Sequence, residues 1–121
     1  MYIKYLNCTI GRESKNWVDF NFFGHQLTAH LKQKKAKKTL ISTNFVDNKK
    51  IPITHFGIIL TPLEWQELAD HLLKLKINFI VKPYTRFKNQ TGEQSTMFIE
   101  DPSSNFLEFK SFKNDENIFK N

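Results

Sequence analysis

One segment near the middle of the chain, TPLEWQELADHLLKL (61–75), restricts the possible folds more than any other. Thr61 can cap a helix here, Pro62 suits the first helical position, and Glu64 completes a capping box. Apolar side chains then recur at helical spacing and form a single stripe: Trp65, Leu68, Ala69, Leu72 and Leu75. Such a stripe is more typical of a core contact than of a cofactor surface. The segment is therefore predicted to be a helix that covers a core built by other elements.

Period-two alternation of apolar and polar residues predicts strands on both sides of this helix. Residues 17–23 and 25–31 both alternate, and Gly24 between them marks a turn, so they are predicted to form a hairpin. A further strand is expected at 8–12, after the end of a short helix. Residues 46–50 are expected to be a polar loop. In the C-terminal part, strands are predicted at 53–60, 78–84, 95–100 and 106–112.

The order of these elements predicts the fold class. Residues 53–112 follow the order strand, helix, strand, strand, strand, which is one βαβββ module. The earlier residues follow the same order with the first strand missing. We therefore predict an α+β protein with a single domain over 1–121. It would comprise a first, incomplete module (1–52), a second module (53–112) and a tail (113–121).

Composition narrows the class of protein. A chain of 121 residues with 40% hydrophobic and 25% charged residues can build one real core. No apolar run approaches the ~20 residues that span a bilayer, and the N-terminus lacks a signal-peptide pattern, so no membrane partner is expected. Cys8 is the only cysteine, which excludes an internal disulfide and fits a reducing cytoplasm.

The formal net charge of +6 raises the question of a polyanionic partner. Five lysines lie in one stretch, LKQKKAKKT (31–39), with no aromatic residue between them. Nucleic-acid surfaces usually add stacking side chains to their charge. We therefore interpret the stretch as a solvated loop. Nucleic-acid binding is the least favoured of the functional hypotheses that the sequence supports.

A carboxylate in an unexpected place indicates a site. Glu108 interrupts the apolar strand 106–112, and a charged side chain inside a sheet is costly unless something pairs with it. Alternation places Glu108 on the face away from the helix, together with His55 and His30 of the strands 53–60 and 25–31. Two histidines and one carboxylate form a ligand set for Fe(II), Mn(II) or Zn(II) with open positions. A shared side of their strands does not establish that these three residues lie close together. The alternative that they face solvent separately stays open.

Two further residues are candidates for substrate binding. Tyr84 and Arg86 alternate on one face of a predicted strand and could contact an anionic substrate. A solvated strand edge explains them equally well.

Several stretches resemble the vicinal-oxygen-chelate superfamily, which includes glyoxalases, bleomycin- and fosfomycin-resistance proteins and extradiol dioxygenases. They are ITHFGIIL (53–60), the capped helix, and GEQSTMFIEDPSSNFLEFKSF (92–112). The last is similar to the family's DP-x-GN-x-LE ending, with Ser104 where glycine is usual. WVDFNFFGHQLTAH (17–30) resembles a bacterial subgroup labelled glyoxalase- or dioxygenase-like. The resemblance implies paired βαβββ modules that form an open, cupped mixed β-sheet around a metal.

The resemblance also implies residue roles. His55 and Glu108 match metal ligands of the family, Glu108 being the candidate catalytic residue, and His30 matches a third ligand less closely. The cofactor would be a divalent ion of iron, manganese, zinc or nickel that holds two substrate oxygens and stabilises an enolate or catecholate-like charge. Family members normally begin with a strand that carries another metal histidine, and the sequence here starts at the helix that follows it.

The function implied is that of a metal-dependent lyase or isomerase, or a ring-cleaving dioxygenase, acting on a small molecule with vicinal oxygens. A homodimer is expected, because a missing strand leaves a hydrogen-bonding sheet edge open. The alternative is a metal-free small-molecule binding protein of the bleomycin-resistance type.

Overall fold

The computed structural model describes residues 1–32 and 42–119. The chain forms two compact units, Met1–Leu40 and Ile41–Asn121. Most of the lysine-rich stretch for which a solvated loop was predicted lies outside the described residues. Within the described ranges, no helix is long and apolar enough to cross a membrane.

The first unit is a short helix followed by three antiparallel strands in the order β1-β2-β3. The predicted hairpin is confirmed: Phe23 and Gly24 both have positive φ angles (52° and 85°), which suits a tight two-residue turn. The ring of Tyr2 stacks on that of Phe20, with centroids 5.1 Å apart, so the helix packs on the apolar face of β2. The elements are α1 (Tyr2–Leu6), β1 (Thr9–Ser14), β2 (Trp17–Phe22) and β3 (His25–His30).

The second unit contains the predicted βαβββ module and confirms the α+β fold class. Its four-stranded sheet has the order β6-β9-β8-β7, with β6 parallel to β9 and the other pairs antiparallel. The elements are β4 (Thr43–Val46), β5 (Lys49–Pro52), β6 (Phe56–Leu60), α2 (Pro62–Lys74), β7 (Phe79–Arg86), β8 (Gln94–Glu100), β9 (Phe106–Phe112) and a 3₁₀ turn (Asp115–Asn117).

The prediction of a polar loop at 46–50 is wrong. These residues form the turn of the β4–β5 hairpin and the strand positions on either side of it. Asp47 and Asn48 occupy the turn with φ angles of 49° and 60°. Two consecutive positive φ angles give the turn the twist that antiparallel strands need, and short Asp and Asn side chains tolerate them. The flanking strands are only four residues long, so their alternation was too short to recognise.

Helix α2 begins as its sequence predicts. The Thr61 hydroxyl accepts a hydrogen bond from the Glu64 N–H (3.3 Å), and the Glu64 carboxylate accepts one from the Thr61 N–H (3.0 Å). The indole N–H of Trp65 donates to the carbonyl oxygen of Phe109 (2.9 Å), which fixes the helix on β9. The predicted stripe is buried as far as Leu72, whereas Leu75 lies past the helix end and is 41% exposed.

The sheet of the second unit has two chemically different faces. Met97 lies opposite Phe109 and Ile99 opposite Leu107, and all four are fully buried on the α2 side. The residues between them belong to the other face, which we call the site face: Thr96, Phe98, Glu108 and Lys110. The alternation in the sequence therefore predicted correctly that Glu108 points away from the helix.

Candidate metal and ligand site

Glu108 on β9 is the centre of the site face, and each of its oxygens has polar partners. Its Oε1 accepts a hydrogen bond from the Thr96 hydroxyl (2.7 Å) and lies 3.3 Å from Lys110 Nζ. Its Oε2 lies 3.4 Å from His55 Nε2. The Glu108 side chain is only 16% exposed, so the two donors at Oε1 replace part of the water that a carboxylate would otherwise bind.

Strand register explains why the partners of Glu108 are close. Thr96 lies opposite Lys110 across the β8–β9 pair, and Phe98 lies opposite Glu108. Residues that face each other across an antiparallel pair project on the same side, about 5 Å apart. Strands β8 and β9 therefore place a hydroxyl group, an ammonium group and an aromatic ring next to one carboxylate.

His55 reaches the site from the residue just before β6. Its Nδ1 lies 2.7 Å from the carbonyl oxygen of Pro52, and its ring meets the ring of Phe98 edge-on, with centroids 5.1 Å apart. Because a carbonyl oxygen only accepts, this contact assigns the proton to Nδ1. In that tautomer Nε2 presents its lone pair toward Glu108.

Gly57 allows β6 to approach β9 at this point. It pairs with Glu108 in the parallel register, and a Cβ at position 57 would lie 1.8 Å from the Glu108 carbonyl oxygen. Only glycine fits without a movement of the backbone. The close approach positions His55, two residues earlier, beside the carboxylate.

The geometry of the His55–Glu108 pair fits two ligands of one divalent ion. Bonds of about 2.0–2.2 Å that meet at the tetrahedral angle place two ligand atoms about 3.3–3.6 Å apart, and Nε2 and Oε2 are 3.4 Å apart. The Pro52 carbonyl on Nδ1 and the Thr96 hydroxyl on Oε1 are the supporting contacts that metal-bound histidines and carboxylates usually have. No group of three or more His, Cys, Asp or Glu that could hold a metal occurs in the described part of the chain. Further positions would be left to water or ligand oxygens.

Tyr84 and Arg86 both contact the β4–β5 hairpin. The Tyr84 hydroxyl donates to Asp47 Oδ2 (3.3 Å), and Arg86 Nε donates to the same oxygen (2.5 Å). Lys49 Nζ lies 3.9 Å from the centre of the Tyr84 ring. Burial raises the pKa of Tyr84, and the negative charges of Asp47 and, less strongly, Glu108 act in the same direction. Tyr84 therefore stays protonated at neutral pH.

Comparison with known proteins identifies the fold. No protein family profile matches the chain, and no curated protein matches it. Among solved structures, a glyoxalase/bleomycin resistance protein/dioxygenase from Alicyclobacillus acidocaldarius is 27% identical, with a TM-score of 0.74 over 98% of this chain and 83% of that one. The chain has the fold of the vicinal-oxygen-chelate superfamily.

Two other structures of this superfamily fold share less sequence. The fosfomycin resistance protein FosX from Listeria monocytogenes is 11% identical, with a TM-score of 0.61 over 96% of this chain and 81% of that one. Lactoylglutathione lyase from Agrobacterium tumefaciens is 14% identical, with a TM-score of 0.56 over 91% and 79%. At these identities the likeness extends to the fold alone.

The structure brings together two of the three ligands that the superfamily resemblance implies, His55 and Glu108. His30 is the last residue of β3 in the first unit, where it is exposed and pairs with Trp17 across the hairpin. Its role as a third ligand stays a prediction, as do the substrate contacts of Tyr84 and Arg86.

Sequence reasoning missed the roles of several residues that surround this candidate site. Lys110 shares the parity of Glu108, so its place on the site face could be foreseen, but its contact with the carboxylate could not. Thr96 carries no sequence signal beyond its position in a strand. Asp47 became a partner of Arg86 only through the hairpin that was not predicted.

A second buried carboxylate, Asp19, occupies the first unit. It is 4% exposed and accepts hydrogen bonds from Thr28 (2.5 Å), Gln26 (2.8 Å) and Arg12 (3.2 Å). The hydrogen bond from Thr28 is the main reason that the pKa of Asp19 lies below its ordinary value, and burial opposes the effect. Both oxygens already have protein donors, so Asp19 serves the stability of the hairpin.

Proposed function

We propose that this chain binds a divalent metal ion through His55 and Glu108 and, on that ion, a small molecule with two adjacent oxygens. The observation that carries the proposal is the 3.4 Å separation of His55 Nε2 and Glu108 Oε2, with Nδ1 and Oε1 engaged by other partners. A lactoylglutathione lyase and a fosfomycin resistance protein have the same fold, which supports small-molecule chemistry.

Each residue has a specific part in the proposed site. Glu108 and His55 hold the ion, and the Pro52 carbonyl keeps the His55 lone pair directed at it. Thr96 fixes the second carboxylate oxygen, and the buried ring of Phe98 excludes water from one side. When bound, iron, manganese, zinc or nickel supplies Lewis-acid stabilisation of an enolate or catecholate-like charge. The reaction would be that of a lyase, an isomerase or a ring-cleaving dioxygenase.

The remaining parts of the proposal depend on the sequence pattern. His30 is the proposed third ligand, on the resemblance alone. Tyr84 and Arg86 are proposed to contact the substrate. A reducing cytoplasm is the proposed location, based on the single cysteine.

A homodimer is proposed because β6 is an edge of its sheet and apolar side chains near it are exposed. Ile53 and Ile59 are 52% and 43% exposed. Light scattering should give the mass of a dimer, and a strict monomer at micromolar concentration would contradict this.

Metal titration tests the proposed function. Chelator-treated protein should bind one equivalent of Zn²⁺ or Mn²⁺, and His55→Ala and Glu108→Gln should each weaken binding at least tenfold. Glu93→Gln is the matched control, because Glu93 is a carboxylate ion-paired with Lys113 outside the site. Equal binding by all three variants, or no binding by the parent chain, would refute the site.

A metal-free binding protein is the second candidate. Lys110 Nζ lies 3.3 Å from Glu108 Oε1, so the carboxylate already has a positively charged partner without a metal ion. This candidate predicts that ligand affinity is the same in chelator-treated and metal-loaded protein. A ligand that binds only after metal is added would exclude it.

A further inference from the structure

We propose that Lys110 makes the site selective for a ligand whose paired oxygens carry negative charge, such as a 2-oxo carboxylate, over a neutral molecule of the same shape. The inference deepens the proposed function and uses the same site. It concerns a residue that the superfamily pattern of ligands does not include.

Lys110 is held on the site face instead of extending into water. It follows Glu108 by two residues on β9, and its side chain is 27% exposed. It lies opposite Thr96 on β8, which in turn lies opposite Tyr84 on β7, so the three residues form one row across the sheet. On the other side of Lys110 the row continues to Ile59 of β6. A ligand bound over Glu108 would meet this row.

The charges of the site face favour an anionic ligand. Among the described residues, Arg86 is paired with Asp47 and Lys110 with Glu108. A divalent ion on Glu108 would add two positive charges to a group that is otherwise neutral. Partly buried charges are weakly screened, so an excess of one sign is costly until an opposite charge enters. A ligand with one or two negative charges restores the balance, whereas a neutral one does not.

The ammonium group can contact a ligand while it keeps its protein partner. It has three N–H donors, and Glu108 Oε1 accepts in one direction. With a ligand carboxylate the ammonium forms an ion pair as well as a hydrogen bond, whereas a neutral carbonyl offers it only a dipole. The same side chain can therefore accompany Glu108 and discriminate between ligands.

A purely positioning role for Lys110 makes a different prediction. If the ammonium only oriented Glu108, its removal would weaken the metal and every ligand together. If it recognises charge, its removal leaves metal binding intact or tighter, because a competing cation has gone, and affects only the anionic ligand.

Pyruvate and 2,3-butanedione separate these roles, because both present adjacent oxygens and a methyl group but only pyruvate is charged. Their affinities for Mn²⁺-loaded protein are measured by the relaxation of their methyl protons, and Mn²⁺ affinity is measured separately. The parent chain should prefer pyruvate. Lys110→Met should lose about tenfold to a hundredfold in pyruvate affinity with butanedione and Mn²⁺ affinities retained. Lys110→Arg should keep the preference.

The control is Lys113→Met, which removes the same charge from a lysine paired with Glu93 at 3.4 Å outside the site. Circular dichroism checks that each variant is folded. If the parent chain binds no Mn²⁺, the proposed metal function fails, and ligand-observed NMR on the metal-free protein then decides the present inference. Pyruvate binding that requires Lys110 would uphold it. Equal affinity of the parent chain for both ligands would overturn it, as would the absence of pyruvate binding at millimolar concentration to both the metal-loaded and the metal-free protein. A parallel loss of metal and of both ligands in Lys110→Met, or the same loss of pyruvate affinity in Lys113→Met, would also overturn it.

Discussion

At the scale of single residues, Glu108 shows how a charged group is accommodated inside a sheet. Three partners share its two oxygens, and they come from β8, from β9 and from the residue before β6. The Thr96 hydroxyl and the Lys110 ammonium group offset part of the cost of burying the charge, so the carboxylate is stable without full solvation. The same partners hold it in one orientation, which a ligand site needs.

Thr96→Val should weaken both metal binding and the stability of the fold. The substitution keeps the shape of the side chain and removes the hydroxyl that donates to Glu108 Oε1. We expect metal affinity to fall by about tenfold or more, with a loss of about 1.5–3 kcal/mol in the free energy of unfolding. Metal titration and urea unfolding measure the two effects. Thr85→Val removes an exposed hydroxyl that contacts Ser95, and it should change neither quantity appreciably; an equal effect would contradict the account.

Asp19 makes folding sensitive to acid. Its pKa is lowered in the folded chain, so between that value and the ordinary value of 3.8 the unfolded chain binds more protons. Its contribution to stability is therefore complete above the ordinary pKa and is lost as the pH falls through the lowered pKa. Asp19→Asn should be less stable at neutral pH. Its unfolding free energy, measured by urea unfolding, should fall less steeply as the pH is lowered into the acid range.

The exposed Asp70 provides the comparison for Asp19. Asp70→Asn removes a carboxylate that accepts a hydrogen bond from Gln66 on the helix surface. The unfolding free energy of this variant should fall with decreasing pH as that of the parent chain does. If the two variants have the same pH profile, Asp19 is not the group responsible.

The sequence predicted some of these residues and could not predict others. Alternation placed His55 and Glu108 on one side of their strands, and the structure shows their side chains in contact. Asp19 lies on the polar face of its alternating strand, and the alternation gives no sign that it is buried. It is buried because Arg12, Gln26 and Thr28 converge on it, and such convergence depends on neighbouring strands that a single strand pattern does not reveal.

At the scale of elements, the site depends on where β6 and the β4–β5 hairpin lie. The hairpin supplies the Pro52 carbonyl that holds His55 and the Asp47 carboxylate that holds Arg86. Helix α2 was predictable because its cap and stripe are local signals. The hairpin was not, since its short strands and its Asp47–Asn48 turn lack the glycine that usually marks such turns.

Gly57→Ala should displace β6 from β9. The new Cβ would lie 1.8 Å from the Glu108 carbonyl oxygen, so the backbone must move. We expect a loss of about 1–3 kcal/mol or more in unfolding free energy, and a loss of metal affinity because His55 moves with β6. Gly11→Ala is the matched control, since its Cβ would have only ordinary contacts at 3.6 Å. Unchanged metal affinity in a folded Gly57→Ala protein would show that the strand contact does not position His55.

At the scale of the whole molecule, element order was the strongest predictor. The βαβββ order of the second unit and the incomplete order of the first predicted the superfamily fold, which the solved structure from A. acidocaldarius matches over 98% of the chain. Element order is a coarse property that survives at 27% identity because the core positions need only be apolar and of suitable size. Ligand chemistry depends on a few polar groups, so the fold alone does not supply it.

The central claim is that His55 and Glu108 bind the same ion, and X-ray absorption of Zn²⁺-loaded protein tests it most directly. The account predicts a shell of nitrogen and oxygen ligands at about 2.0–2.2 Å with an imidazole contribution. That contribution should decrease by one ring in His55→Ala, and Glu108→Gln should alter the oxygen shell. A spectrum of hydrated zinc, or a spectrum that neither substitution changes, would contradict the claim.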